Sequence, residues 1–372
     1  MLYLDNSATT QILPEVKEAM LPFLMEEFGN PSSKYYSVAE NAKKAVKEAR
    51  QSLASLLGCE ESEVIFTSGS TESNNMVIKG VADFHSEKGN HILTTKVEHP
   101  SVIETCKYLE GKGFNVTYLD VDRYGRIDPE ALLNEITNQT ILVTIIWGNN
   151  ELGSLNDLEK ISAICEEKKV LLHTDATQVI SKVDFNLADY PGITFLSCSG
   201  HKFHGPKGIG ATFIRKDEYG ILTKLTPLLH GGGQEQDIRS GTLAVHNIVG
   251  LGKAAELAQK NLFENINKLN ELENYLNGII RNKFNDQVVF NHDHSNKIPG
   301  ILSVQFKGVN NEILVKNLSP IMAVSTGSAC SSSKPSHVLD AIGLTINEVR
   351  STIRFSMSSL IDKESLNIFN QL

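Results

Sequence analysis

The sequence is poor in cysteine, and its five cysteines (Cys59, Cys106, Cys165, Cys198, Cys330) are odd in number, scattered and free of any C-x-x-C pair. That pattern argues against a disulfide framework or a zinc ribbon and fits reduced, cytoplasmic thiols. No apolar run approaches the ~18 residues of a membrane span. The opening MLYLDNSATT lacks a charged segment followed by an apolar one, so no secretory leader is expected. Long basic blocks are missing too, and the formal net charge is −9. Direct nucleic-acid binding is therefore not expected. Internal repeats and low-complexity segments are absent. What remains is an ordinary globular composition, with 41% hydrophobic and 21% charged residues. At 372 residues the chain exceeds one typical core, which implies two domains.

The patterning places strands and helices in alternation from about residue 64 to 215. Residues 38–57 carry apolar side chains at three- and four-residue steps, ending at Gly58, a suitable C-cap. Val64–Thr67, His91–Thr95, Asn115–Leu119, Ile141–Trp147, Val170–Asp175 and Ile193–Ser197 read as strands. Helices are expected near 74–86, 102–112, 128–137 and 158–168. This alternation predicts an α/β domain with a mostly parallel sheet. Beyond Ile248–Arg281, two helical spans, the chain changes to a smaller α+β pattern. Its strands are expected at Ile301–Phe306, Ile321–Ser325 and Ile353–Ser356.

Polar clusters recur at the strand exits: Ser68–Asn75, Glu98–His99, Asn149–Glu151 and Asp175–Gln178. In a parallel sheet these exits share one edge, where ligands bind. Ser68-Gly69-Ser70-Thr71 opens a helix, and free N–H groups there suit an anion. The alternative is simple N-capping by Ser70 or Thr71.

Ser197–Gly210, SCSGHKFHGPKGIG, is the densest stretch. A lysine among small residues and glycines suits an amine that condenses with an aldehyde, because glycine lets the backbone approach closely. A plain hairpin with surface lysines is the competing reading. Pyridoxal phosphate needs such a lysine, a carboxylate for its ring nitrogen, donors for its phenolate and phosphate, and usually a ring on its face. Lys202, Asp175, Gln178, Thr71, Ser199, His201 and His99 can supply them.

The motifs YLDNSATT, GNPSS, FTSGSTESNN, VEHPSV, NNELG, HTDATQ, SGHKFHGPKGIGA, GGGQEQDIRSGT, STGSACSSS and STIRFSMS occur in order. The sequence resembles the NifS/IscS-type cysteine desulfurases, of the aminotransferase class V group with PLP fold type I. That resemblance implies a large domain over residues 14–257 with a mostly parallel seven-stranded sheet. Residues 1–13 and 258–372 would form a smaller α+β domain carrying a catalytic loop at about 322–335.

It further implies conversion of L-cysteine to L-alanine, with sulfur passed to Cys330 and then to an acceptor protein. Iron–sulfur scaffolds, tRNA-thiolation and DNA-phosphorothioation proteins are the acceptor classes. Lys202 would hold pyridoxal 5′-phosphate covalently, and His99 would stack on the ring and serve as a candidate acid/base. Asp175 would pair with the ring nitrogen and Gln178 with the phenolate. Ser70, Thr71, Ser199 and His201 would hold the phosphate. Thr242 would reach the phosphate of a second subunit, which implies a homodimer. Asn150 and Arg354 would hold the substrate carboxylate. Cys330, among small polar residues, would be a thiolate on an exposed mobile loop.

A selenocysteine lyase, another class V enzyme, and a non-catalytic sulfur-transfer scaffold are the alternatives. Cys198 reads as a packing residue, and His292-Asp293-His294 as a solvated polar turn rather than a metal site. No metal is expected. Lys207 reads as structural or solvent-facing.

Overall fold

The computed structural model describes residues 1–327 and 335–371. The chain opens with strand β1 (Leu2–Tyr3), then helices α1 (Pro14–Met25) and α2 (Ser37–Leu57). The alternating section follows: β2 (Val64–Thr67), α3 (Ser70–Phe84), β3 (His91–Thr95), α4 (Pro100–Glu110), β4 (Asn115–Leu119), α5 (Pro129–Glu135), β5 (Thr140–Ile146), α6 (Leu158–Lys168), β6 (Leu171–Asp175), β7 (Ile193–Ser199) and β8 (Gly210–Ile214). Helices α7 (Val245–Lys260) and α8 (Leu262–Phe284) lead to β9 (Val288–Phe290), β10 (Ile301–Phe306), α9 (Asn311–Leu318), β11 (Met322–Ala323), α10 (His337–Ala341), α11 (Ile346–Val349) and β12 (Thr352–Ser356).

The central sheet has seven strands in the order β2-β8-β7-β6-β5-β3-β4. Only β8 runs against its neighbours. The fold is thus α/β with a mainly parallel sheet. Both faces are covered, and the two-residue period of a strand sorts side chains between them. Phe195 packs with Met76, Val77 and Val81 of α3 on one face. Leu196, the next residue, packs with Ala255 of α7 and Leu53 of α2 on the other.

Helix α2 lies against α7 at very close range. A Cβ on Gly252 would sit 2.4 Å from the Cα of Ala49, so the glycine–alanine contact permits that approach. Gly58 caps α2 with φ 71, a left-handed conformation that glycine adopts without a Cβ penalty.

A second sheet, β12-β10-β9, is antiparallel and packs on Leu269, Leu272, Leu276 and Ile280 of α8. The N-terminal strand pairs with β11, parallel, and Leu4 joins the α8 cluster. Strand β9 and helix α11 were not anticipated from the pattern; both are short.

Helix α3 begins at Ser70, four residues before the position the sequence suggested. Ser, Thr and Asn are poor helix formers, so the local pattern reads as a turn. Gly69, with φ 151, makes the sharp bend and the helix starts at once. Helix α4 likewise begins at Pro100, with His99 as its N-cap. Among the described residues no helix is long and apolar enough to cross a membrane.

Candidate active site

A cavity of about 220 Å³ lies at the carboxyl ends of the parallel strands. Ser70 and Thr71 reach it from α3, and His99 from the turn after β3. Asn150 follows β5, Asp175 ends β6, and Gln178 comes three residues later. His201 and Lys202 follow β7, and Arg354 extends from β12. Nine of the residues singled out in the sequence therefore share one cavity wall. Ser199 and Thr242 do not line it: Ser199 is buried at the end of β7 and Thr242 is exposed. Cys330 lies outside the described residues.

Asp175 is held from two sides. Its Oδ1 accepts from the main-chain N–H of Thr177 at 3.0 Å, and its Oδ2 from Nδ2 of Asn74 at 2.8 Å. Asn74 Nδ2 also donates to Ser101 Oγ at 2.8 Å, which lies 2.8 Å from Nδ1 of His99. Burial, opposed by Asp175 but helped by Lys202 and His337, holds the His99 imidazole below its ordinary value. His201 is pushed down to about 4 by burial and then by Lys202 and Lys207. Lys202 Nζ donates to the main-chain oxygens of Ser7 and Ala8 at 2.5 and 2.9 Å.

Helix α3 opens toward the cavity with no side-chain cap on its first turn. The capping alternative for Ser70 and Thr71 is therefore not what forms. A helix start without a cap leaves donor N–H groups and the positive dipole end facing the space. A Cβ on Gly69 would lie 3.4 Å from Ser199 Oγ, which brings the end of β7 beside this turn.

Arg354 is 2% exposed and paired with Asp5 at 2.8 Å. Its Nη1 donates to the main-chain oxygens of Asn150 and Gly327. Its Nε is buried with no hydrogen-bond partner among the described residues. The last residue described before segment 328–334 is thus tied to the cavity wall. So is Ser336, just beyond it, whose Oγ donates to Glu151 Oε2 at 2.5 Å. Burial raises the Glu151 carboxyl above the usual range, and pushes buried Glu98 up to about 8.

Several cavity residues were given no individual role in the sequence. Ser7, Ala8, Thr177, Glu151 and His337 all line the space. Lys182, buried one turn beyond Gln178, is pushed down to about 7 by burial, with Lys202 and Arg354 adding to the effect. Its Nζ contacts Gln178 Oε1 at 3.4 Å. Ser7, Ala8 and Ser101 fall inside the motifs YLDNSATT and VEHPSV, and Asn74, Glu151 and Thr177 inside the strand-exit polar clusters, which were the available hints.

Cys198 is buried behind the site, and burial pushes its thiol up to about 12. Lys207 is exposed. His292 is not solvated as the polar turn suggested: it is 2% exposed, and its Nδ1 accepts from the main-chain N–H of Ser303. Phe290 and His294 pack against its ring, which shields it from water. Among the described residues no group of three or more potential metal ligands occurs.

The profile of the aminotransferase class-V family matches residues 2–369. The chain belongs to the aminotransferase class-V family. It is 45% identical over 369 residues to the cysteine desulfurase IscS of Dictyoglomus turgidum, covering 98% of this chain and 92% of that protein. Among solved structures, a NifS-like protein superposes with a TM-score of 0.92 at 36% identity, covering 100% of this chain and 97% of that one. A structure of SspA in complex with cysteine gives a TM-score of 0.83 at 38% identity, covering 96% and 99%. The doubly covered, mainly parallel seven-stranded sheet of this class V chain is that of its NifS-like PLP fold type I neighbours.

Proposed function

We infer that this class V protein is a cysteine desulfurase that uses pyridoxal 5′-phosphate. The observation that carries the inference is the convergence of Lys202, Asp175, His99 and Arg354 on one cavity from four separate segments. The residues present fit the cofactor. Asp175 is a buried carboxylate, α3 opens at Ser70 with no side-chain cap, and Arg354 Nε is a buried donor with no partner among the described residues. When bound, pyridoxal phosphate supplies an aldehyde for an amine and a ring that withdraws electrons from the substrate carbon.

Lys202 provides the amine and carries a proton to and from the substrate at Nζ. Asp175 would pair with the ring nitrogen, and Gln178 would meet the phenolate. Ser70, Thr71 and His201 would hold the phosphate, with Ser199 beside the Gly69 turn. Arg354 binds the substrate carboxylate, since Nε and the remaining Nη2 hydrogen form a fork that matches two oxygens. Asn150 supports it through the main-chain contact to Arg354.

Cys330 takes the sulfur. A bond forms between its Sγ and the substrate sulfur, and the substrate carbon–sulfur bond breaks. The electron pair stays on the carbon skeleton, which gains a proton. Overall, Cys330–SH plus L-cysteine gives Cys330–S–SH plus L-alanine, with no outside oxidant. Both described flanks of segment 328–334 attach at the cavity wall, through Arg354 and Glu151, which favours this role. The sulfur then passes to an acceptor protein.

The domain division belongs to this proposal. Residues 1–13 would join the unit from 258 onward, supported by the β1–β11 pairing and by Leu4 in the α8 cluster. A homodimer completes it. Thr242 is exposed and outside its own chain's cavity, as a residue serving a second subunit would be.

Cys330→Ala tests the function. It should keep the cofactor's visible absorbance yet form no persulfide, read by mass spectrometry after L-cysteine addition. Undiminished sulfur transfer by that variant would refute the assignment.

A further inference from the structure

Lys182 is a buried lysine with no acid paired to it. It is 8% exposed and sits in the connection between β6 and β7, a turn beyond Gln178. Its Nζ donates to the main-chain oxygen and to Oε1 of Gln178, both at 3.4 Å. Buried Lys297 shows the usual alternative, an ammonium 2.6 Å from the Glu273 carboxylate. Charge-assisted bonds are short, and the two Lys182 contacts are long. Among the described residues no carboxylate pairs with Lys182 and no third oxygen accepts from it. An uncharged amine has two hydrogens and is satisfied by two acceptors. An ammonium would carry a third hydrogen with nothing to receive it.

The surroundings also oppose a charge there. Lys202, His201 and His204 face Lys182 from the turn after β7, and Arg354 faces it from β12. All four are basic. The acids nearby in the chain or the cavity are engaged elsewhere or exposed. Asp5 pairs with Arg354, Asp175 accepts from Asn74 and Thr177, and Asp184 is exposed. Burial, with Lys202 and Arg354 adding to it, pushes Lys182 down to about 7.

The Gln178 amide can lie only one way round. Its Nε2 donates to the main-chain oxygen of Ser7 at 2.9 Å, and a carbonyl only accepts. Turned over, the amide would set Oε1 against that oxygen. Oε1 therefore lies toward Lys182, which donates to it. The second Nε2 hydrogen is left for the cavity that Gln178 lines. Ser7 O accepts from Lys202 Nζ as well, at 2.5 Å. One chain of contacts thus runs from Lys182 through Gln178 and Ser7 to Lys202.

We propose that Lys182 is a positioning residue: as an uncharged amine it holds the Gln178 side chain with Nε2 turned to the cavity, where the phenolate of the cofactor would meet it. This rests on the pyridoxal phosphate reading for what Gln178 meets; the amine and its two acceptors lie within the chain. A full positive charge beside Lys202 would lower that amine's proton affinity. An uncharged donor orients the amide without doing so.

Equilibrium urea unfolding of the protein as purified, from pH 7.5 to pH 9.5, tests the charge state. The unfolded chain binds a proton at Lys182 up to about 10.4, and the folded chain does not. Stability from this group is whole above that value and is lost as pH falls toward the folded value. Relative to Lys182→Met, which cannot titrate, the wild-type folding constant should rise up to about tenfold per pH unit. If Lys182→Met does not fold, Lys182→Gln gives the same comparison. Parallel slopes would overturn the proposal.

Cofactor absorbance tests the positioning. Lys182→Met should raise the dissociation constant of pyridoxal phosphate about fivefold, read on serial dilution of the loaded protein. The same change made in Gln178→Ala should have no further effect, because the group it orients is gone. Equal losses in both backgrounds, or no loss in either, would overturn the proposal. Failure of wild type to hold pyridoxal phosphate would refute the cofactor reading instead, and the slopes would still decide the state of Lys182.

Discussion

Acidification should weaken this protein through His173, a ring that ties together the three strands beneath the site. Its Nδ1 lies 2.7 Å from Thr144 Oγ1 on β5, and its Nε2 lies 2.9 Å from Ser197 Oγ on β7. The side chain is fully buried, and burial pushes its pKa down to about 4, against an opposing pull from Asp175. The unfolded chain binds the proton at the ordinary value of 6.5, and the folded chain does not. Stability from this group is therefore whole above pH 6.5 and lost as pH falls toward the folded value. The loss amounts to about 2 kcal/mol by pH 5 and about 3 kcal/mol by pH 4.

Equilibrium urea unfolding at constant ionic strength, repeated at half-unit steps of pH, measures it. His173→Gln keeps a polar group between Thr144 and Ser197 but has nothing to protonate. The variant will be less stable at pH 7, so the comparison is of slopes. Wild type should lose up to about 1.4 kcal/mol more per pH unit than the variant in the acid range. Equal slopes for the two proteins between pH 6 and pH 4.5 would refute the argument.

Two other perturbations follow from the same geometry. Arg354→Lys keeps the charge but loses the planar fork; two charge-assisted bonds at about 1.5 kcal/mol each predict roughly a 100-fold fall in kcat/KM, mostly through KM. Alanine release under varied L-cysteine checks it, and an unchanged KM would remove Arg354 from the carboxylate role. Lys297 is 2.6 Å from Glu273, and both side chains are under 10% exposed (5% and 8%). Lys297→Met strands that carboxylate in the interior and should cost about 3–5 kcal/mol, visible as a lower urea midpoint. A midpoint within error of wild type would mean that water reaches Glu273.

The sheet was legible because each strand declares itself locally. Ile141–Trp147 and Val170–Asp175 are apolar runs ending in polar residues, and such runs in alternation with helices leave few topologies open. Helix starts were less legible. At Ser70 and Pro100 the propensity of Ser, Thr and Asn pointed to turns, while Gly69 and His99 in fact initiate helices directly. His292 misled for a similar reason. Its neighbours are polar, yet Phe290 and His294 close over it.

The chemistry-bearing residues could be named from the linear order of motifs, because a lysine among glycines and an acid at a strand end are local signals. Their relations to one another could not. Asn74 meets Asp175 across 101 positions and Ser101 across 27, and no periodicity encodes a hydrogen bond between side chains that far apart. The same holds for Ser7 and Ala8 over Lys202, and for Asp5 against Arg354. Sequence alone determined which groups the protein carries and on which elements. Only the folded chain decided which of them touch and which are cut off from water. Direction and proton affinity come from neighbours in space and from burial, and both exist only once the sheet has brought its strand ends together.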